Sequence, residues 1–222
     1  MSERTPDRDV VVRTFIDTDR PELLALFERA GEGSPSGTLW GHTESEAAVY
    51  LTPYMDLEPE SLFVAVVDGE LAGYLAGCTD SARFPSESER MEAAIRRYRL
   101  VFRRRPAAFF ARSIADMVWA KLRRIPAAGE FQDARWPAHL HIDLVPEARG
   151  RGVGGALMRR WLDRLEALGV PGCHLQTLVE NEGAVRFFES SGFVPHGEPR
   201  AVPGVRYRGN RVRQRDMVWT AP

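Results

Sequence analysis

No run in this 222-residue sequence approaches the ~20 consecutive apolar residues that a membrane-crossing helix requires. A membrane protein is therefore not expected. Cysteine is nearly absent: Cys78 and Cys173 stand alone, each in a run that reads as a strand. Two such thiols suit a reduced, buried setting in a cytoplasmic protein rather than a disulfide framework or a metal site. The first nine residues, MSERTPDRD, lack the apolar stretch of a secretory leader. No Gly-Lys-Ser/Thr closes a P-loop, and there are neither internal repeats nor low-complexity tracts. Net charge is only −1, so nothing global draws the chain to nucleic acid. The 44% hydrophobic content supports a real core, and the length suits one domain, 1–222, carrying an insertion.

The most informative stretch is 138–155, AHLHIDLVPEARGRGVGG. In its alternating first half, Ala138, Leu140, Ile142 and Leu144 share one face of a strand, and His139, His141, Asp143 and Val145 share the other. Pro146 cannot continue a sheet ladder, so the strand must end or bulge there. Arg149, Gly150, Arg151, Gly152, Val153, Gly154 and Gly155 then lead into a helix patterned by Val153, Leu157, Trp161, Leu165 and Leu168. A glycine-rich turn between a strand and a helix N-terminus is an anion site. Its amides can approach a phosphate closely, and the first helical turn carries partial positive charge.

In chain order, 10–16 is a β-branched strand. Asp19, Pro21 and Glu22 open a helix with a stripe of Leu23, Leu24, Phe27 and Ala30, ended by Gly31. A Gly/Ser/Pro-rich loop over 31–41 follows. Thr43 and Glu46 form a second capping box, in a helix that Pro53 closes. Runs 62–67 and 71–79 flank Asp68-Gly69, the pair suited to a type I′ hairpin turn. Within an insertion at about 80–135, Ser86 and Glu89 cap a helix with Met91, Ile95, Tyr98 and Phe102 on one side. Pro106 starts a second, whose inner stripe reads Phe110, Ile114, Met117, Val118, Leu122 and Ile125. Residues 83–124 hold twelve Lys/Arg against four acids. That patch could face an anionic partner, but solvated outer faces of two packed helices explain it more simply. Strands follow at 172–179, from 192, and at 212–220, with a turn around Gly209-Asn210 and a short helix to Ser191.

The pattern Arg149-x-x-Gly152-x-Gly154 after a strand resembles the acetyl-CoA pyrophosphate loop of the GNAT (GCN5-related N-acetyltransferase) superfamily. Asn181-x-x-Ala184-x-x-Phe187-Phe188-x-x-x-Gly192-Phe193 resembles that family's second motif, about thirty residues on. The resemblance implies an α+β fold: a central mixed, mostly antiparallel sheet, splayed after 138–145 and flanked by helices, with a two-helix insertion. It implies acetyl-CoA as cofactor and CoA as product. Backbone amides of 149–155 would bind the pyrophosphate, and the main chain of Leu144 and Val145 the pantetheine arm. Asn181, Ala184 and Phe188 would line the cofactor. A small-molecule or peptide amine would accept the acetyl group by direct transfer. A homodimer is an allowed assembly; membrane and nucleic acid are not expected partners.

Direct transfer needs a group to take the amine's proton. Asp143 is the first candidate and His141 the second; the plain alternative is a buried network that orients the strand. His139 reads as structural or at the edge of the cleft. Phe188 departs from the family's Tyr, which is held to return a proton to the thiolate, and Phe has no hydroxyl. Residues 136–195, with WPAHLHIDL and GVPGCHL, also resemble the acetyltransferase-like C-terminal domain of animal O-GlcNAcases and its free-standing bacterial relatives. Two rival functions follow. One is a catalytically weak or inactive pseudo-acetyltransferase that binds acyl-CoA or a partner. The other is a zinc hydrolase using His139, His141 and Asp143, against which the unbroken strand alternation and the absence of a second histidine cluster argue; no metal is expected. Trp40, Tyr54 and the insertion helices are candidates for the acceptor pocket.

Overall fold

The computed structural model describes residues 10–31 and 39–222. The sequence expectations for the first nine residues and for most of the 31–41 loop lie outside these. Among the described residues seven strands form one sheet: β1 (Val10–Thr14), β2 (Leu62–Val67), β3 (Glu70–Cys78), β4 (Ala138–Leu144), β5 (Gly172–Leu178), β6 (Val194–Tyr207) and β7 (Asn210–Thr220). Their order is β1-β2-β3-β4-β5-β7-β6. Every pairing is antiparallel except β4 with β5, which is parallel and covers only Ala138–Cys173 and His139–His174. Beyond His139 the two strands diverge, so the splay expected of this strand is present.

Among the described residues seven α-helices accompany the sheet: α1 (Arg20–Ala30), α2 (Thr43–Tyr50), α3 (Thr52–Leu57), α4 (Glu87–Tyr98), α5 (Arg104–Arg123), α6 (Val153–Ala167) and α7 (Glu182–Ser190). The β2–β3 turn has positive φ at both Asp68 (54°) and Gly69 (87°), as a type I′ turn requires. On the α6 side of the sheet Trp161 is fully buried against Gly77. A Cβ there would come within 2.4 Å of the indole, so glycine admits the ring. Gly77 pairs with Leu140, which places Leu140, Ile142 and Leu144 on that face. The opposite face carries Tyr74, Ala76 and Cys78 of β3 beside Asp143, His141 and His139 of β4.

Several local expectations change. Asp19 does not cap α1. Its carboxylate takes two hydrogen bonds from Arg13 (2.6 and 2.7 Å) and one from the Ile16 N–H (3.0 Å). A bidentate guanidinium on the neighbouring strand outcompetes a single helical amide. In α2 the cap is His42 rather than Thr43, while Glu46 accepts the N–H groups of Trp40 and Gly41. Pro53 does not close that helix; it sits in the first turn of α3, where its missing N–H costs nothing. The Ser86–Glu89 box on α4 is present as expected.

The largest correction concerns α5. Ile114, Met117, Val118, Leu122 and Ile125 face outward, Leu122 80% exposed, and Phe102 before the helix is 85% exposed. The buried positions are Pro106, Phe109, Asp116 and Ala120. Both sides of this helix are apolar, so periodicity does not choose between them. Asp116 does: its carboxylate binds the Gly204 N–H and the guanidinium groups of Arg206 and Arg211 on the β6–β7 hairpin. That rotation places Phe109 in a second apolar cluster with Trp40, Val49, Leu100 and Val212.

Candidate active site

The stretch after β4 turns at Pro146–Ala148 and enters α6 through Gly150 (φ 72°) and Gly152 (φ 79°). Both glycines occupy the left-handed region, and a Cβ on either would meet only open space. The constraint is therefore conformational, not steric crowding. Among the described residues, none of the main-chain N–H groups of 150–155 donates a hydrogen bond; the first amide used is Ala156, to Gly152. Such free amides at the start of a fifteen-residue helix suit a pyrophosphate.

Arg149 contributes differently from expectation. Its own N–H donates to Pro146 (3.3 Å), and its guanidinium binds the carbonyls of Ala30 (2.8 Å) and Leu144 (3.3 Å). It staples the loop to the end of α1. The N–H of Val145 is likewise taken, by Ala72 on β3 (3.0 Å). Since hydrogen-bonding direction alternates along a strand, the main chain of Ile142 and Leu144 faces the edge that β5 has left. Gly154 packs on Leu144 and Phe187, where a Cβ would stand 3.3 Å from each. On α7, Asn181 caps the helix by accepting the Ala184 N–H (3.2 Å), which joins two of the predicted cofactor residues in one cap. Phe188 is 7% exposed, in ring contact with Phe187 and Phe193.

The polar face of β4 separates its three candidates. Ser81 Oγ donates to the Pro137 carbonyl (2.6 Å), so it accepts from Nδ1–H of His139 (2.7 Å). Nε2 of His139 then accepts from the Tyr54 hydroxyl (2.7 Å). Both nitrogens are occupied, and burial holds this imidazole neutral. Asp143 accepts from the Tyr74 hydroxyl (2.7 Å), its cross-strand neighbour. Burial raises its pKa, against the opposing hydrogen bond. His141 is the free one. Among the described residues its ring nitrogens have no hydrogen-bond partner; Tyr50 and Tyr54 meet it edge-on at 6.0 and 5.6 Å. Small Ala76 stands across from it, and burial with the nearby Arg90 charge pushes its pKa down to about 3.

His141 and His139 line a cavity of about 260 Å³ at the point where β4 and β5 part. His174 of β5 joins them, its ring 5.7 Å from His139, with Nδ1–H donated to Trp136 (2.8 Å) and Nε2 without a partner among the described residues. The start of α4 and residues 130–132 complete the wall. Asp143 lies outside this wall, toward the loop. Trp40 is not part of it either; it is core, its indole N–H on Ser45 (2.7 Å). Tyr54 is buried but reaches the site through His139, and of the insertion helices only α4 contributes. Sequence reasoning missed His174, Tyr74, Ser81 and Tyr50. Strand pairing supplies Tyr74 and His174, while Ser81 comes from the turn after β3 and Tyr50 from α2, and the insertion separates β3 from β4. The zinc triad does not assemble, since His139 has no lone pair to offer. No group of three or more His, Cys, Asp or Glu among the described residues is placed to hold a metal ion.

Strand order, parallel splay, amide-rich loop and the cap of α7 define an acetyltransferase fold, and comparison with known families agrees. Residues 28–193 match the model of the Acetyltransferase (GNAT) family, and the chain belongs to that family. Solved structures share the fold. The protein named SsHAT is 24% identical with a TM-score of 0.57, over 93% of this chain and 96% of its own. The putative acetyltransferase yncA of Salmonella typhimurium, solved with acetyl-CoA, is 13% identical (TM-score 0.57; 95% and 93% covered). A phosphinothricin acetyltransferase of Sinorhizobium meliloti, in complex with AcCoA, is 15% identical (TM-score 0.57; 95% and 88% covered).

Proposed function

We propose that the protein transfers the acetyl group of acetyl-CoA to a primary amine, as one acetyltransferase domain over 1–222 with an insertion at about 80–135. One observation carries this: the β4–β5 pairing stops at His139, opening a strand edge between a loop of unused amides and a histidine-lined cavity. Acetyl-CoA, when bound, supplies an activated acyl thioester. The amides of 150–155 hold its diphosphate, and the main chain at Ile142 and Leu144 orients its arm. His141 is the base on the ground of position: it faces the cavity and has a nitrogen to spare, although burial lowers its pKa and weakens it as a proton acceptor. Asp143, tied to Tyr74, positions the strand beside it. Phe188 offers no hydroxyl, so a proton for the thiolate has to come from another group, and His141 is the one on β4 that faces the cavity with an unused nitrogen.

Phe188 also favours a second reading, a module that binds acetyl-CoA without turning it over. The likeness of 136–195 to the O-GlcNAcase C-terminal domain points the same way. Calorimetric titration with acetyl-CoA, CoA and ATP, followed by thiol release with an amine panel, separates the two. Saturable binding of the CoA species with turnover supports the transferase; His141→Gln should then abolish most of kcat and Asp143→Asn less. Binding without turnover of any amine supports the module. No binding removes both.

A further inference from the structure

The cavity has a charge pattern that selects among amines. Its lining residues include three carboxylates, Glu87, Glu89 and Glu130, and one permanent cation, Arg90. Arg90 is partly engaged within the protein. Its guanidinium donates to the carbonyls of Val49 and Ser86 and lies over the rings of Phe84 and Tyr54 at 5.2 and 5.9 Å. The N-terminus of α4, which could attract an anion, is also engaged: Glu130 accepts the Ser88 N–H (3.1 Å), and Ser86 accepts that of Glu89 (3.1 Å). The carboxylates keep spare capacity. Glu87 uses one oxygen on the Tyr50 hydroxyl (2.7 Å) and Glu130 one on Ser88, leaving the second oxygen of each without a partner among the described residues. The three histidines are all held neutral by burial and add no positive charge.

Tyr50 ties this acidic wall to the base. Its ring meets His141 edge-on, and its hydroxyl sits on Glu87, so Glu87 stands one tyrosine away from the base. We propose that the acceptor is a compact dication, a diamine or polyamine, with its reacting amine at His141 and its second ammonium held by Glu87 and Glu130. This rests on the acetyl-transfer reading and narrows its substrate class. An acceptor bearing a carboxylate or phosphate faces three carboxylates against the one partly engaged Arg90.

The test is turnover with three amines of matched length, putrescine, n-butylamine and γ-aminobutyrate, on the full chain and on a Glu87→Gln/Glu130→Gln double variant. Glutamine keeps an acceptor for Tyr50 and Ser88, and a thermal melt checks the fold. Putrescine should exceed n-butylamine in kcat/KM by about tenfold or more, as a partly desolvated ion pair provides. γ-Aminobutyrate should be the poorest, and the double variant should erase the preference for putrescine. Equal rates for putrescine and n-butylamine, or a preference that survives in the variant, overturns the proposal. If no amine is acetylated, the transfer reading falls, and titration of the CoA-loaded protein with the same amines still decides the binding claim. Putrescine binding tighter than n-butylamine and weakened in the variant supports it; indistinguishable affinities overturn it.

Discussion

In the proposed reaction the two ends of β4 use different parts of the polypeptide. At the C-terminal end the anion loop works through main-chain amides, and its side chains matter mainly for what they leave out. At the N-terminal half the cavity works through side chains drawn from β4, β5, α2, α3, α4 and the turn at Ser81. A main-chain site tolerates few Cβ atoms but is indifferent to distant sequence. A side-chain site is the reverse, since each group depends on partners far along the chain. Loss of function at one end should therefore leave the other intact.

The largest expected effect tests that separation at the loop. Gly152→Glu places a charged side chain on a left-handed residue, costing ~1–2 kcal/mol of backbone strain besides charge repulsion with the diphosphate. CoA binding should vanish in a titration while the near-ultraviolet spectrum of the folded protein persists; retained affinity would mean that the anion site lies elsewhere. Next comes the cavity. His141→Gln should lower kcat by about 10²–10⁴-fold, the usual worth of a general base, with CoA affinity within about twofold of the parent. If both fall together, the two ends are not separable.

A smaller effect sharpens the difference between His141 and Asp143. Tyr74→Phe removes the only hydroxyl bonded to Asp143 among the described residues. The carboxyl pKa is already raised in the folded state, so folding favours its protonated form and stability falls as pH rises above the ordinary carboxylate range. Losing the hydrogen bond deepens this. The variant should be less stable by ~1–3 kcal/mol at about pH 7, with the gap narrowing toward about pH 4, in denaturant melts. A gap independent of pH would mean that Tyr74 acts by packing alone. The smallest effect lies on α5: Leu122→Gln should change stability by less than ~0.5 kcal/mol, as at any exposed site. A loss of several kcal/mol would restore the inward stripe that periodicity suggested.

What the sequence displayed and what it concealed divide along the same line. The glycine loop, the Asp68–Gly69 turn and the Ser86–Glu89 box were legible because each is a contiguous set of residues whose backbone demands are local. Asp19 and Thr43 show the limit of that legibility. Both occupy capping patterns, yet Arg13 claims the first carboxylate and His42 takes the place of the second. On α5 the apolar pattern is real, but its facing was set by Asp116 meeting Arg206 and Arg211, about ninety residues away.

Alternation along β4 was enough to put His139, His141 and Asp143 on one face, and the loop behind it was enough to expect acetyl-CoA. Neither could say which of the three is free to react. That was decided by Tyr54, Ser81 and Tyr74, lying 85, 58 and 69 residues from the groups they bind. They occupy both nitrogens of His139 and one oxygen of Asp143 and, among the described residues, leave His141 without a hydrogen-bond partner. Local sequence fixes the direction in which a side chain points, because that follows from backbone geometry. Whether its lone pairs are already used depends on partners that only the folded sheet brings within hydrogen-bonding distance.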